Sequence, residues 1–380
     1  MLLCCCWKAL TFSQESASLC ADGCCLCVQT LRTSGGSTSS GYSCAGAAGT
    51  LYVLNGTASS LTFDNGGGSS ASSTCTPFPT DLNGVQLSSL NVSGRTCLDL
   101  RQAGSYNDVR AYELDLDVNS KITGDSVVID TSNASLRGSI TASSALWLHN
   151  AQSGAGTVTA FSGSTITCSS CTMRMTLAGS NVRMHGAITA TVAEVRGLQS
   201  ISHTGSLRVM GSQLMVEAGT ASMGGTVTCS GAACSSLVSV NGTLEVGGAV
   251  SCTNGKCRLS MRCGGSLRST GTISCSGNSQ CLIDLAIGGS AQLGGSTRGS
   301  DIRIVAADGL EVLGRVSTDE QGYIEYLGDG KGARSSWSTS YTYSSFRVSG
   351  SGGGHGGDGA SSCYRYSSSY GSIPSGISCA

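Results

Sequence analysis

The sequence predicts an all-β protein: a right-handed parallel β-helix, or β-solenoid, of about ten coils with a 23-residue period. Three observations carry that reading. Two cysteine positions recur at a fixed step: Cys229, Cys252 and Cys275 lie 23 residues apart, and Cys234, Cys257 and Cys281 follow with steps of 23 and 24. A second phrase keeps the same step, as GTLEVGG from Gly242, GSLRSTG from Gly265 and GSAQLGG from Gly289. Looser copies are GTLYVLNG from Gly49, GSLRVMG from Gly205 and GLEVLG from Gly309. Within each phrase apolar and polar residues alternate, and Gly-Gly, Asn-Gly or Ser-Gly pairs interrupt the chain every 6–9 residues.

Alternation sends one side chain inward and the next outward, which is strand geometry. Helical spacing is not sustained over a dozen residues anywhere, and the glycine pairs supply turn chemistry. A fixed internal period marks a stacked array. Four-stranded propeller blades need about 40–45 residues, whereas 23 suit one coil of three short strands and three corners. Successive coils then pair through parallel ladders about 4.8 Å apart. Tracing the rhythm back through Ile188, Ile166, Ile140 and Ile122 gives steps of 18–26. Coils between Tyr106 and Gly330 would make a rod on the order of 50 Å long.

The chain divides accordingly. Residues 1–33 hold seven cysteines, and the apolar run precedes Lys8 instead of following a cationic start, so this segment reads as a degenerate signal or a disordered stretch. Residues 34–104, with Pro77, Pro79, Cys44, Cys75 and Cys97, read as an irregular β cap or lead-in coils. Residues 105–330 are the parallel β-helix, and 331–380 a Gly/Ser/Tyr-rich C-terminal segment.

Composition excludes several classes of function. A hydrophobic fraction of 39% with a net charge of -1 allows a core, where disorder needs the reverse. Near-zero charge leaves no basic stripe for nucleic acid. No apolar run reaches the ~20 residues of a membrane-spanning helix. Twenty-one cysteines in spaced pairs favour disulfides, an oxidising compartment and hence an extracellular or cell-surface location. Zinc is disfavoured, because there are only four histidines and Cys168-Ser-Ser-Cys171 is the sole CxxC of the central region.

Cys229, Cys252 and Cys275 share parity with an apolar neighbour and should form an inward vertical ladder. Three stacked cysteines cannot all pair vertically, although the rung spacing would allow it. Local bridges Cys229–Cys234, Cys252–Cys257 and Cys275–Cys281 are therefore expected, and Cys168 and Cys171 are further candidates. Each would contribute about 2 kcal/mol.

Glu113, Asp115 and Asp117 alternate along one predicted strand and present oxygens on one face. They are candidates for Ca²⁺, which takes six to eight oxygen ligands; a solvated acidic face is the competing reading. Polysaccharide lyases of the pectin-lyase-like architecture use calcium-binding aspartates with an arginine base, and Arg110 and Arg137 are neighbours by sequence. No aspartate cluster recurs on adjacent coils to complete such a site. Asp301-Ile-Arg-Ile304 likewise lacks the paired aspartates a polygalacturonase requires. A single calcium-roll phrase, GGHGGDGA from Gly353, should bind nothing without a tandem copy. The four histidines read as surface or corner residues. No catalytic residues and no cofactor are expected.

Thr-x-Thr triplets at Thr157, Thr165, Thr189 and Thr226 raise ice binding as a minor alternative, which would need one pair per coil on a flat face. N-glycosylation candidates are Asn55, Asn91, Asn133 and Asn241.

The stretch from Ser349 to Gly376, SGSGGGHGGDGASSCYRYSSSYGSIPSG, resembles a signature of large glycine-rich extracellular β-helix repeat proteins of plants, algae and other protists. The matching positions are Gly352 to Gly357, Gly359, Tyr370, Gly371, Ser372 and Pro374, and Ala360 departs from the pattern. The resemblance implies a partial member of a secreted or surface repeat family, with no catalytic residues to carry over. The resulting expectation is a non-catalytic structural or adhesive solenoid that meets glycans or extracellular matrix and surface proteins. The alternative is a carbohydrate-active enzyme, a lyase or glycosidase, on the same scaffold.

Overall fold

The computed structural model describes residues 49–318 apart from 56–57, 66–74, 102–106, 151–155, 255 and 277–280, together with the strands Arg334–Trp337 and Arg347–Gly350. The Cys-rich segment 1–33, Cys44, the calcium-roll phrase, nearly all of the glycine-rich signature and the side chain of Asn55 lie outside the described residues.

Twenty-six strands join into one hydrogen-bonded system, in which every pairing but the first is parallel. The chain is a β-solenoid of about ten turns with a period of about 22 residues. Residues one period apart lie directly over one another, as the cysteine spacing predicts. On the first sheet Ile122, Ile140, Ile166, Ile188, Leu207, Val227, Val250 and Ile273 form one column in unbroken register. All eight are buried. Burying each such side chain contributes on the order of 1.5–3 kcal/mol, and β-branched residues suit the pleated wall. Two positions on, Cys229, Cys252 and Cys275 stack in the same way.

Among the described residues the inward side chains pack into one continuous apolar core. A void bordered by Ile129, Ile140, Leu148 and Met173 amounts to about 10 Å³, room for no more than a water.

One corner explains much of the glycine. Gly186, Gly205, Gly225, Gly248, Gly271, Gly295 and Gly314 stand in a column, and a Cβ on any from Gly205 upward would collide with the carbonyl oxygen of the glycine one rung below. That oxygen accepts the N–H of the residue after the glycine above it, as in Thr226 N to Gly205 O and Ala249 N to Gly225 O, at 2.9 and 3.0 Å. From Gly205 upward a side chain at the corner would occupy the acceptor's place, whereas two rungs below carry Ser120 and Ser164 at the same position.

Two of the looser repeats sit elsewhere. GTLYVLNG is not a coil segment: strand Gly49–Asn55 runs antiparallel to Ala58–Asp64, and parallel stacking begins where Ala58–Asp64 meets Gln86–Ser93. GSLRVMG belongs to the first sheet, with Leu207 over Ile188, whereas GTLEVGG, GSLRSTG and GSAQLGG stack on the third sheet as Leu244, Leu267 and Ala291. At the other end of the described stack, Leu310, Val312 and Leu313 are exposed.

Candidate functional site

Disulfides close the first corner at Cys168–Cys171, Cys229–Cys234 and Cys275–Cys281, with Cα separations of 5.2, 6.0 and 5.6 Å. Cys75–Cys97 is different: it joins two rungs vertically, at a Cα separation of 4.5 Å. The bridge expected between Cys252 and Cys257 is not formed. These two are buried thiols in mutual contact, and the Cys257 thiol donates to the Asn254 carbonyl at 2.9 Å. Burial, with Cys257 adjacent, pushes the Cys252 thiol up to about 12. A group so far from its ordinary value stays protonated and is a poor nucleophile near neutrality. The Sγ atoms of Cys229, Cys234 and Cys252 all lie within 4.8 Å of one another, so the corner is a stack of sulfur inside the wall.

The acidic candidates do not converge. Glu113 and Asp115 point outward on consecutive outer positions, Asp115 pairs with Arg137 at 3.2 Å, and Asp117 lies past the strand end. Among the described residues, the cysteine corner is the group whose potential ligand atoms come together. Arg110 is committed to Asp108 at 2.6 Å, which raises its pKa through the hydrogen bond and the charge.

The second sheet carries a feature that alternation alone did not flag. Val128, Trp147, Arg174 and Glu194 form one outer column, and Arg110, Asp130 and His149 the next. Trp147 is 41% exposed. Arg174 and Arg196 both reach Glu194, at 3.4 and 3.7 Å, while His149 Nδ1 lies 3.9 Å from Asp130. An exposed aromatic plate therefore stands beside the Arg174–Glu194–Arg196 ion pairs on the outer wall. The sequence signal was a tryptophan at the outward parity of Leu146-Trp-Leu-His149.

The threonine triplets do not make one array. Thr165 and Thr167 face out from the first sheet, Thr157 and Thr159 belong to another, and Thr191 turns at a corner onto the Ser169 carbonyl. A column of Thr123, Thr141, Thr167 and Thr189 is ended by Arg208. Of the sequon asparagines, Asn133 and Asn241 are exposed and Asn91 is half-buried; the Asn133 Oδ1 accepts the Thr157 N–H at 3.0 Å.

His203 overturns the surface reading of the histidines. It is 1% exposed, on the inner column of the third sheet. It keeps the parity of Ile201, a pattern hidden because a polar residue occupies an apolar slot.

Among the described residues, no helix is long and apolar enough to cross a membrane. No protein-family model, no curated protein and no solved structure matches the chain.

Proposed function

We propose that the protein is a non-catalytic, secreted or cell-surface solenoid with a structural and adhesive role, whose outer walls meet glycans or matrix proteins. The observation that carries this reading is the exposed Trp147 set in columns of arginine and carboxylate side chains. An aromatic plate stacks on the apolar face of a sugar ring, and flanking polar groups hold its hydroxyls. Rungs repeating about every 4.8 Å offer an extended polymer many weak contacts that add up by multivalency. The disulfides support an oxidising compartment, and the glycine-rich C-terminal signature fits the same setting.

The test uses the full chain on a glycan array and in sedimentation with insoluble polysaccharides. Binding should weaken about tenfold or more in Trp147→Ala, as for a buried aromatic anchor. Equal binding by the variant removes this wall from the reading, and release of new sugar ends from a polysaccharide overturns the non-catalytic role.

A further inference from the structure

Neither ring nitrogen of the buried His203 has a hydrogen-bond partner among the described residues. Buried polar atoms are almost always paired, and an exception calls for a cause such as a bound ion. The ladder neighbours of His203 are two methionines, Met184 directly below and Met223 directly above, both inward and at most 2% exposed. Elsewhere in this column the rungs from Leu116 to Ala160 are aliphatic.

We propose that Met184, His203 and Met223 form a binding site for a soft monovalent cation, Cu(I) or Ag(I), inside the solenoid wall.

Thioether sulfur selects soft ions and imidazole suits copper, so the donor set names the class. Geometry agrees. Adjacent rungs are about 4.8 Å apart. For zinc, bonds to imidazole nitrogen and to sulfur are about 2.0 and 2.3 Å, and the larger Ag(I) forms longer ones, so a nitrogen and a sulfur on either side of an ion span about that spacing. An ion can therefore lie between stacked donors, with the flexible methionine chains taking up the remainder. The imidazole binds such an ion in its neutral form. It gives a lone pair to the ion and keeps its single N–H, so no proton is released. A single positive charge is what the site can hold, because among the described residues no carboxylate or thiolate group converges here. His185, half-buried at the adjacent corner, holds its Nδ1 2.6 Å from Thr204 Oγ1.

Ag(I) titrated into the full chain tests this, followed by the ¹³C signals of the methionine methyls and by total metal uptake. Two methyl signals, assigned with Met184→Leu and Met223→Leu, should move together with one equivalent beyond the silver that the cysteine thiols take up. His203→Leu and the Met184→Leu/Met223→Leu double variant should each take up one equivalent fewer, while silver held by the cysteine thiols remains. Unmoved methyl signals together with equal uptake by all three proteins would overturn the site. The double variant conserves volume and decides the matter should His203→Leu fail to fold.

Discussion

The coils from Lys121 to Met223 and those from Thr226 to Arg298 build the same cross-section by different means. The lower ones carry strands of 16, 17 and 18 residues straight through corners, with steps between rungs of 18–26. The upper ones break into strands of 3–7 residues with steps of 23 or 24, and the bridges Cys229–Cys234 and Cys275–Cys281 close the first corner of two of them. Backbone continuity and covalent closure can also coincide, for the Cys168–Cys171 bridge sits within the continuous strand Thr165–Thr176 of the lower coils. What both regions share is the corner column, glycine from Gly186 upward and alternating with Ser120 and Ser164 below, whose carbonyls accept the next rung's N–H irrespective of coil length.

The sharpest way to break that comparison is at the column itself. Gly248→Val places a side chain on the Gly225 carbonyl and should cost about 4 kcal/mol in denaturant unfolding. The adjacent Gly247→Ala, whose Cβ would meet Gly224 at an ordinary 3.8 Å, should stay within about 0.5 kcal/mol. Gly186→Val in the lower coils should match Gly248→Val; a mild effect there would show that continuous strands do not need the column.

A second, smaller effect belongs to the lower coils alone. The pKa of His203 is lowered to about 4 in the folded metal-free chain, against about 6.5 unfolded. The unfolded chain therefore takes up the proton first. Stability is complete above pH 6.5 and falls by about 3 kcal/mol as pH drops from 6.5 to 4. Melting curves across that range should show the loss, and His203→Leu should remove it.

The smallest effect sharpens the upper region. The double change Cys275→Ala/Cys281→Ala opens a bridge between residues six apart and should cost about 2 kcal/mol, read from the unfolding midpoint. An equal loss in a parent already treated with reductant would show that the cavity, and not the cross-link, is responsible.

The upper coils were legible from sequence because their markers, glycine and cysteine, sit at positions where geometry tolerates little else. Register there followed directly from the 23-residue step. Other features were hidden for physical reasons. The alternation of Gly49–Asn55 reports which side chains face in, yet strand direction depends on the partner, so an antiparallel strand looked like another repeat. The outward-facing Trp147 and the inward-facing His203 each contradict the polarity of their slot, and such exceptions are where function is to be sought. Equal spacing also failed to distinguish Cys252 and Cys257 from their bridged neighbours, because the turn at Asn254, with φ 73°, offers the Cys257 thiol a carbonyl acceptor instead.

The corner glycines also set how such a chain can be lengthened in evolution. Each answers only to the carbonyl beneath it, so the 23 residues from Ala249 to Gly271 form a module whose two joints are alike. A tandem duplication of that module inserts one extra storey, about 4.8 Å tall, without creating any junction the protein does not already possess. Rod height is then an inheritable quantity, adjustable by copying in whole-number steps.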